Sequence, residues 1–288
     1  MAAERGAVVI TGASSGIGEA CAVRLAGMGF QVFAGVRKVE DGATLQQKTP
    51  GRLTPVIIDV TDDATIRAAA ETAAQAVGEA GLAGLINNAG VAIAGPLEFL
   101  PISELRRQLE INVVGQVAVT QALLPLIRKG RGRIVNISSI SGKIASPMTG
   151  AYAASKHAME AVSDALRLEL LPWDIKVVVV EPGVTQTPIW QRSLATGDTL
   201  LAQMPPQIEE LYGKSIAATR KAAQRNQNAG TPPDEVAKVV VTALTIEHPK
   251  ARYPVGRDAR LGSLLARILP DRTRDRMLSR RRSRERWR

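Results

Sequence analysis

Three residues carry the chain's best case for chemistry: Ser139, Tyr152 and Lys156, within VNISSISGKIASPMTGAYAASKHAMEAV. The apolar run that reaches Ile137 reads as the end of a buried strand, so Ser139 stands just past its carboxyl end. From 151 to 170 apolar residues recur at three and four positions, the period of a helix. Tyr152 and Lys156 then share one helical face, one turn apart. An ammonium so close favours a phenolate, and should lower the tyrosine pKa from about 10 toward neutrality. A tyrosine tuned in that way is a general acid/base that can work at neutral pH. The same spacing is also met in an exposed helix pair beside a serine-rich turn, so the elements around it must decide.

Those elements alternate. Strands are expected at 7–10, 31–36, 56–58, 82–86, 134–137, 175–180 and 253–256. Helices are expected from the first glycine turn to about 29, from an Asp62 cap to about 78, over 103–129 with an interruption at Pro125, over 151–170, and from Pro232-Pro233-Asp234 to about 247. Strand and helix in turn predict an α/β fold, a doubly wound parallel sheet with helices on both faces. Ligands bind such sheets at the carboxyl ends of the strands. Thr11-Gly12-Ala13-Ser14-Ser15-Gly16-Ile17-Gly18, Asn87-Asn88-Ala89-Gly90, Ser139 and Pro182-Gly183 all fall there. Gly12, Gly16 and Gly18 on strand–turn–helix suit a pyrophosphate at a helix N-terminus. The second strand ends in Val36-Arg37-Lys38, with no acid before Glu40 to accept from a ribose 2′-hydroxyl. Arg37, with Lys38 as a second cation, points instead to a 2′-phosphate; the alternative is a solvated basic turn.

With 288 residues, 45% apolar and 22% charged, the composition is that of an ordinary soluble protein. No stretch is expected to span a membrane, and the start MAAERGAVVITG has no secretory signal, so the expected location is the cytoplasm. The one cysteine, Cys21, excludes an internal disulfide and reads as a small buried hydrophobe. The glycosylation triplet at Asn136 ends a buried strand and is discounted. The charge is lopsided: of a net +10, residues 257–288 hold +8, with 12 Arg against 4 acids, so the body is nearly neutral.

Residues 188–230 break the rhythm and read as a helical insertion above the strand ends, a substrate lid or binding loop. Its Ile189, Trp190, Leu194, Leu200, Leu201, Met204 and Leu211 either favour an apolar substrate or simply pack the insertion onto the body. The catalytic and dinucleotide-binding domain is placed at 1–256, followed by a basic helical tail at 257–288. In that tail Leu261, Leu264, Leu265, Ile268 and Leu269 alternate with arginines. It suits either a helix docked on the body with a solvated basic end, or peripheral contact with a membrane surface.

Together these residues resemble the short-chain dehydrogenase/reductase family over roughly 6–256. TGASSGIG fits its TGxxxGxG loop, Asn87 to Gly90 its NNAG, Tyr152-Ala-Ala-Ser-Lys156 its YxxxK, and Pro182-Gly183 with Thr187 its PGxxxT; Ser139 stands thirteen residues before the tyrosine. The resemblance implies a single Rossmann-type fold and an oxidoreductase dependent on NADP(H), preferred here, or NAD(H). It implies catalysis by Asn112, Ser139, Tyr152 and Lys156. It places the cofactor on Gly12, Ser14, Ser15, Gly16, Ile17, Gly18, Arg37, Lys38, Asp59, Val60, Asn88, Ala89, Gly90, Tyr152, Lys156, Pro182, Gly183, Val184 and Thr187. Within the family the chain is most similar to hydroxysteroid and retinol dehydrogenases, which implies a bulky apolar alcohol or ketone. A homodimer or homotetramer is implied too, and no nucleic acid. The usual Gly-Gly after the last strand is absent, which leaves substrate closure and assembly open.

Two other readings compete. Gly12-Ala-Ser-Ser-Gly16 also spells the G-x-S-x-G elbow of a hydrolase, with Ser14 as nucleophile and His248 as base. That reading leaves NNAG and Tyr-x-x-x-Lys unexplained. A dinucleotide-binding sensor or scaffold could use the basic tail on nucleic acid or anionic lipid, but would have no use for the full Asn/Ser/Tyr/Lys set.

Overall fold

In the computed structural model, which describes residues 5–49 and 52–285, one sheet of seven parallel strands has the order β3-β2-β1-β4-β5-β6-β7. The strands are β1 (Ala7–Ile10), β2 (Gln31–Val36), β3 (Leu53–Ile57), β4 (Leu82–Asn87), β5 (Arg133–Ile137), β6 (Lys176–Pro182) and β7 (Arg252–Val255). Parallel neighbours require crossovers, and helices supply them: α1 (Gly16–Gly27), α2 (Val39–Lys48), α3 (Asp63–Val77), α4 (Ile102–Leu109), α5 (Gly115–Lys129), α6 (Gly150–Glu169) and α9 (Pro233–Thr245). The chain winds outward from β1 to β3 and returns to β4 on the other side, so the strand order reverses between β1 and β4, where such folds open a ligand crevice.

Alternate strand residues feed two cores. On one face Val8, Ile10, Ile86, Val135 and Val178 pack with Leu25 of α1 and Val240 of α9, and Cys21 is buried among them. On the other, Val9, Phe33, Leu85, Ile134 and Val177 pack with Ile66 of α3 and Leu123 and Ile127 of α5. With both faces covered, the strands read as the near-continuous apolar runs seen in the sequence.

The expected break at Pro125 lies elsewhere. Pro125 is accommodated on the exposed side of α5, and the irregularity is a π turn, Glu110–Val114, between α4 and α5. The whole run Ile102–Lys129 is also long and apolar enough by composition to cross a membrane, with mean hydropathy 1.3 over its most apolar window, contrary to the sequence-based expectation. Its contacts are those of a core helix: Val119, Leu123 and Ile127 meet the sheet, and Gln108, Asn112, Gln116 and Thr120 are buried in hydrogen bonds.

The insertion forms α7 (Ile189–Leu201) and α8 (Gln207–Ala229), and the tail forms α10 (Arg257–Ile268) and α11 (Asp271–Glu285). Leu200 packs on Ile93, Leu100 and Ala151, and Ile208 and Ile216 pack on Met148. Much of the insertion's apolar surface therefore holds it to the body, as the plainer of the two readings had it.

Candidate active site

Ser139, Tyr152 and Lys156 meet at the carboxyl edge of the sheet. Ser139 follows β5; its hydroxyl donates to the Pro182 carbonyl at 3.5 Å and accepts from the Ser141 amide at 3.1 Å. Tyr152 lies in the first turn of α6, and Lys156 one turn further on is buried. The Lys156 Nζ donates to the Ile137 carbonyl at 2.8 Å and stands 5.7 Å from the centre of the Tyr152 ring.

The electrostatics differ from the expectation built on spacing alone. Burial raises the Tyr152 phenol above its ordinary value, against a hydrogen bond with Ser139 that lowers it. Lys156 shifts the other way: burial lowers its pKa to about 8, opposed by the charge of Glu160 one turn on. Removing the cation from water costs more here than the Glu160 charge returns, so the lysine's own charge is depressed.

Asn112 lies in the π turn and is buried. Its Oδ1 accepts from the Val91 amide at 2.9 Å, and its Nδ2 donates to the Val91 carbonyl at 2.9 Å and to the Ser155 hydroxyl at 3.0 Å. Ser155 in turn donates to the Tyr152 carbonyl at 2.7 Å. Asn112 thus braces the turn behind the tyrosine. Both of its N–H groups are committed, so its side chain has only acceptor capacity left.

The glycine loop forms a cradle. Gly12 and Gly16 have φ of +65° and +61°. A Cβ on Gly12 would lie 2.8 Å from the Ala89 Cα, and one on Gly16 would lie 3.0 Å from the Thr187 Cγ2. Only glycine fits both the backbone sign and the space. Ser14 and Ser15 complete the turn, Ser15 is the extended residue that starts α1, and Ile17 packs onto the core. Asn88 staples the loop: its Nδ2 donates to the carbonyls of Thr11 and Gly12, both at 3.0 Å. Gly90 borders Asn112. A pyrophosphate, with the α1 N-terminus behind it, suits such a loop.

Arg37 and Lys38 are exposed at the end of β2. Asp59 follows β3; burial would raise its carboxyl, but hydrogen bonds from the Thr61 amide (3.0 Å) and hydroxyl (2.7 Å), with the nearby Arg37 charge, hold it below the ordinary range. Val60 is buried beside Gly115. Pro182 ends β6, and Gly183 lies against Asp258 of α10. The Val184 amide donates to the Asp258 carboxylate at 2.7 Å, so Val184 borders the site with its one backbone donor already engaged.

A cavity of about 40 Å³ lies between body and insertion, walled by Ala94, Gly95 and Met148 of the body and Leu194, Leu201 and Met204 of the insertion. Asp198 and Arg220 form an ion pair on the same wall. Of the other apolar insertion residues, Leu211 is exposed and the Trp190 indole N–H donates to the Thr185 carbonyl at 2.7 Å.

Sequence reading missed several supports. Thr11 Oγ1 accepts from the amides of Asn88 (2.9 Å) and Ala89 (3.0 Å), and Gln116 Nε2 donates to the Ala89 carbonyl at 2.5 Å. Gln108 pairs with both Val91 and Ile93. The signal was present: Gln108, Asn112, Gln116 and Thr120 recur every fourth position, an uncharged polar stripe along one face of the helix. Also unread was a buried charge cluster in which Glu160 accepts from Lys143 (2.8 Å) and Arg252 (2.9 Å), with Glu181 3.5 Å from both cations.

The hydrolase arrangement does not form. His248 is exposed beyond the end of α9, at the opposite edge of the sheet from Ser14, and His157 contacts the Ala153 carbonyl of its own helix. Asn136 is buried, donating to Ser163 at 2.8 Å, as expected of a strand residue that is no glycosylation acceptor.

Residues 6–197 match the family model described as short chain dehydrogenase. The chain is 38% identical over 274 residues to an NADPH-dependent 3-dehydrocapnine reductase of Ornithobacterium rhinotracheale, covering 93% of this chain and 94% of the relative. It is 40% identical over 278 residues to retinol dehydrogenase 5 of Mus musculus, covering 94% and 87%. The crystal structure of a short-chain dehydrogenase from Streptomyces avermitilis superposes with a TM-score of 0.78 at 30% identity, over 97% of this chain and 99% of that one. The chain belongs to the short-chain dehydrogenase/reductase family, as an oxidoreductase that acts on alcohol and carbonyl groups with a nicotinamide cofactor.

Proposed function

We propose that the protein is an NADP(H)-preferring oxidoreductase for a bulky apolar carbonyl or secondary alcohol, with Tyr152 as its acid/base. The observation that carries this reading is the meeting of Ser139, Tyr152 and Lys156 at the strand ends that also hold the glycine cradle. A bound nicotinamide supplies or accepts the hydride. The chain's own residues handle the oxygen and its proton. The Tyr152 phenol, kept protonated by burial, donates its proton to a carbonyl oxygen, or takes an alcohol proton in the reverse direction. Ser139 hydrogen-bonds that oxygen. The Lys156 ammonium favours the phenolate as it forms and holds the ribose hydroxyls. Asn112 holds the π turn against Ser155, which fixes the tyrosine's backbone and orients a water for the proton relay.

Arg37 and Lys38, exposed at the end of β2, support the preference for a 2′-phosphate, and the NADPH-dependent relative agrees with it. The apolar wall of Met148, Leu194, Leu201 and Met204 supports an apolar substrate, as does the likeness to a retinol dehydrogenase. The exposed Ile102 and Val114 on the helix that bears Asn112 support a homo-oligomer.

Turnover followed at the nicotinamide absorbance band, across ketones, steroids and retinoids, tests the assignment. Catalytic efficiency with NADPH should exceed that with NADH, and equal or better use of NADH rejects the role of Arg37. Tyr152→Phe should bind cofactor normally and lose turnover by about a hundredfold or more; near-normal rates would remove Tyr152 from the mechanism.

A further inference from the structure

The tail contains an element that the chemistry does not use. One face of α10 is docked beside the site: Asp258 accepts from the Val184 amide at 2.7 Å, Ala259 is buried, and Gly262 brings the helix against Ile140 and Ile144 of the segment that follows Ser139. The opposite face is turned outward. Leu261, Leu264 and Ile268 recur at three and four positions along it and are 57%, 54% and 60% exposed. The exposed arginines Arg260 and Arg267 flank that apolar stripe on one side, and Arg257 extends it at the N-terminal end. Beyond it the charge rises further, to a net +8 over residues 257–288 against +2 for the rest of the chain.

We propose that α10, with the basic helix α11 after it, forms a docking face for an anionic lipid bilayer. The three apolar side chains would enter the headgroup–acyl boundary, and the arginines would meet lipid phosphates. Each feature points to that occupant. A stripe of leucine and isoleucine has no use on a nucleic acid, whose backbone asks for cations alone. A second copy of the chain would set this arginine-rich face against an equally cationic one, which repels. An apolar stripe flanked by cations, on a helix lying flat on a folded body, matches an anionic interface on both counts. A few apolar side chains alone bind membranes only marginally, and the polybasic segment is the second signal that stable attachment requires. Docking would lay the Ser139 turn and Gly183 close to the bilayer surface, through the contacts of α10 with both. The inference stands independently of which substrate the site takes.

The test is co-sedimentation of the full-length protein with vesicles of equimolar phosphatidylcholine and phosphatidylglycerol, and with phosphatidylcholine alone. Sedimentation should occur with the anionic vesicles, fall steeply at high salt, and be near background with the neutral ones. The triple variant Leu261→Ser/Leu264→Ser/Ile268→Ser should bind the anionic vesicles about tenfold more weakly, with cofactor fluorescence unchanged as the check on folding. If that variant misfolds, Arg260→Gln/Arg267→Gln, which leaves the docked face intact, should weaken binding about threefold or more. Equal binding to neutral vesicles, or none to either, overturns the proposal. So does binding to duplex DNA without binding to vesicles, or a dimer that the triple variant abolishes while vesicle binding stays absent.

Discussion

At the scale of single residues, Lys156 is the most consequential group in the site because burial has moved its titration to about pH 8. Its charge is present below that pH and lost above it. If the ammonium helps to hold an anionic cofactor, affinity must follow the charge. The cofactor dissociation constant should be flat near neutrality and rise about tenfold by pH 9. Lys156→Met should bind weakly at every pH with no such slope, and a flat profile in the native enzyme would mean that the lysine charge plays no part in binding. The residues themselves were readable from the chain: Ser139, Tyr152 and Lys156 stand where motif and spacing put them. Their electrostatics were not, because the pair spacing that brings Lys156 near the phenol says nothing of how little water either group keeps. Desolvation is a property of the packed site, and here it outweighs the pair interaction.

At the scale of elements, the site is positioned by hydrogen bonds that cross between them. Thr11 at the end of β1 is the clearest case. Its hydroxyl oxygen accepts from two backbone amides of the β4 loop, Asn88 and Ala89, and the hydroxyl donates to Gln116 Oε1 at 3.3 Å. Thr11→Val keeps the shape and removes all three. Two amides in a crowded turn then lack a partner, at a cost of about 1–3 kcal/mol each. A loss of about 2–6 kcal/mol should appear as a lower denaturation midpoint together with weaker cofactor binding, since the same bonds hold the glycine loop. Serine at this position should restore both. Elements that sequence located well are those set by local pattern: β1, β2 and the Asp62 cap, whose carboxylate accepts from the Ala64 amide at 2.8 Å. The long helix was placed correctly but broken at the wrong point. Proline is a local signal, and Pro125 sits where α5 faces solvent. The π turn at Asn112 answers instead to the polar contacts with Val91 and Ser155, which only the folded chain brings near.

On the scale of the whole molecule, the catalytic helix is joined to the last two strands by charge. Arg252 of β7 reaches Glu160 at 2.9 Å and Asp164 at 2.7 Å on α6, and lies 3.5 Å from Glu181 of β6, which is 1% exposed. Lys143 is the second cation of this group. Burial, then the neighbouring Glu160, raises the Glu181 carboxyl above its ordinary range, against the two cations. No motif announces the cluster, since its members are scattered over more than a hundred residues and meet only because β6 and β7 pair beside α6. The alternation of elements that predicted the parallel sheet made their strands neighbours without naming the side chains between them. Removing Arg252 leaves the buried carboxylates with Lys143 as their main partner, and an uncompensated buried charge typically costs about 3–5 kcal/mol. Arg252→Met should therefore destabilise the protein strongly at neutral pH. The sign of its pH dependence follows from which form the cluster would then favour. Without the guanidinium, a protonated Glu181 is preferred, so the penalty is full well above the carboxylate range and shrinks as acid neutralises that carboxyl. The denaturation midpoints of native and variant protein should converge on acidification. Glu181→Gln in the variant background should recover part of the loss at neutral pH, because it removes the carboxylate that burial disfavours most plainly. A gap between Arg252→Met and the native protein that is constant with pH, and untouched by Glu181→Gln, would show that Arg252 acts by packing and that charge does not bind the catalytic helix to the strands beneath it.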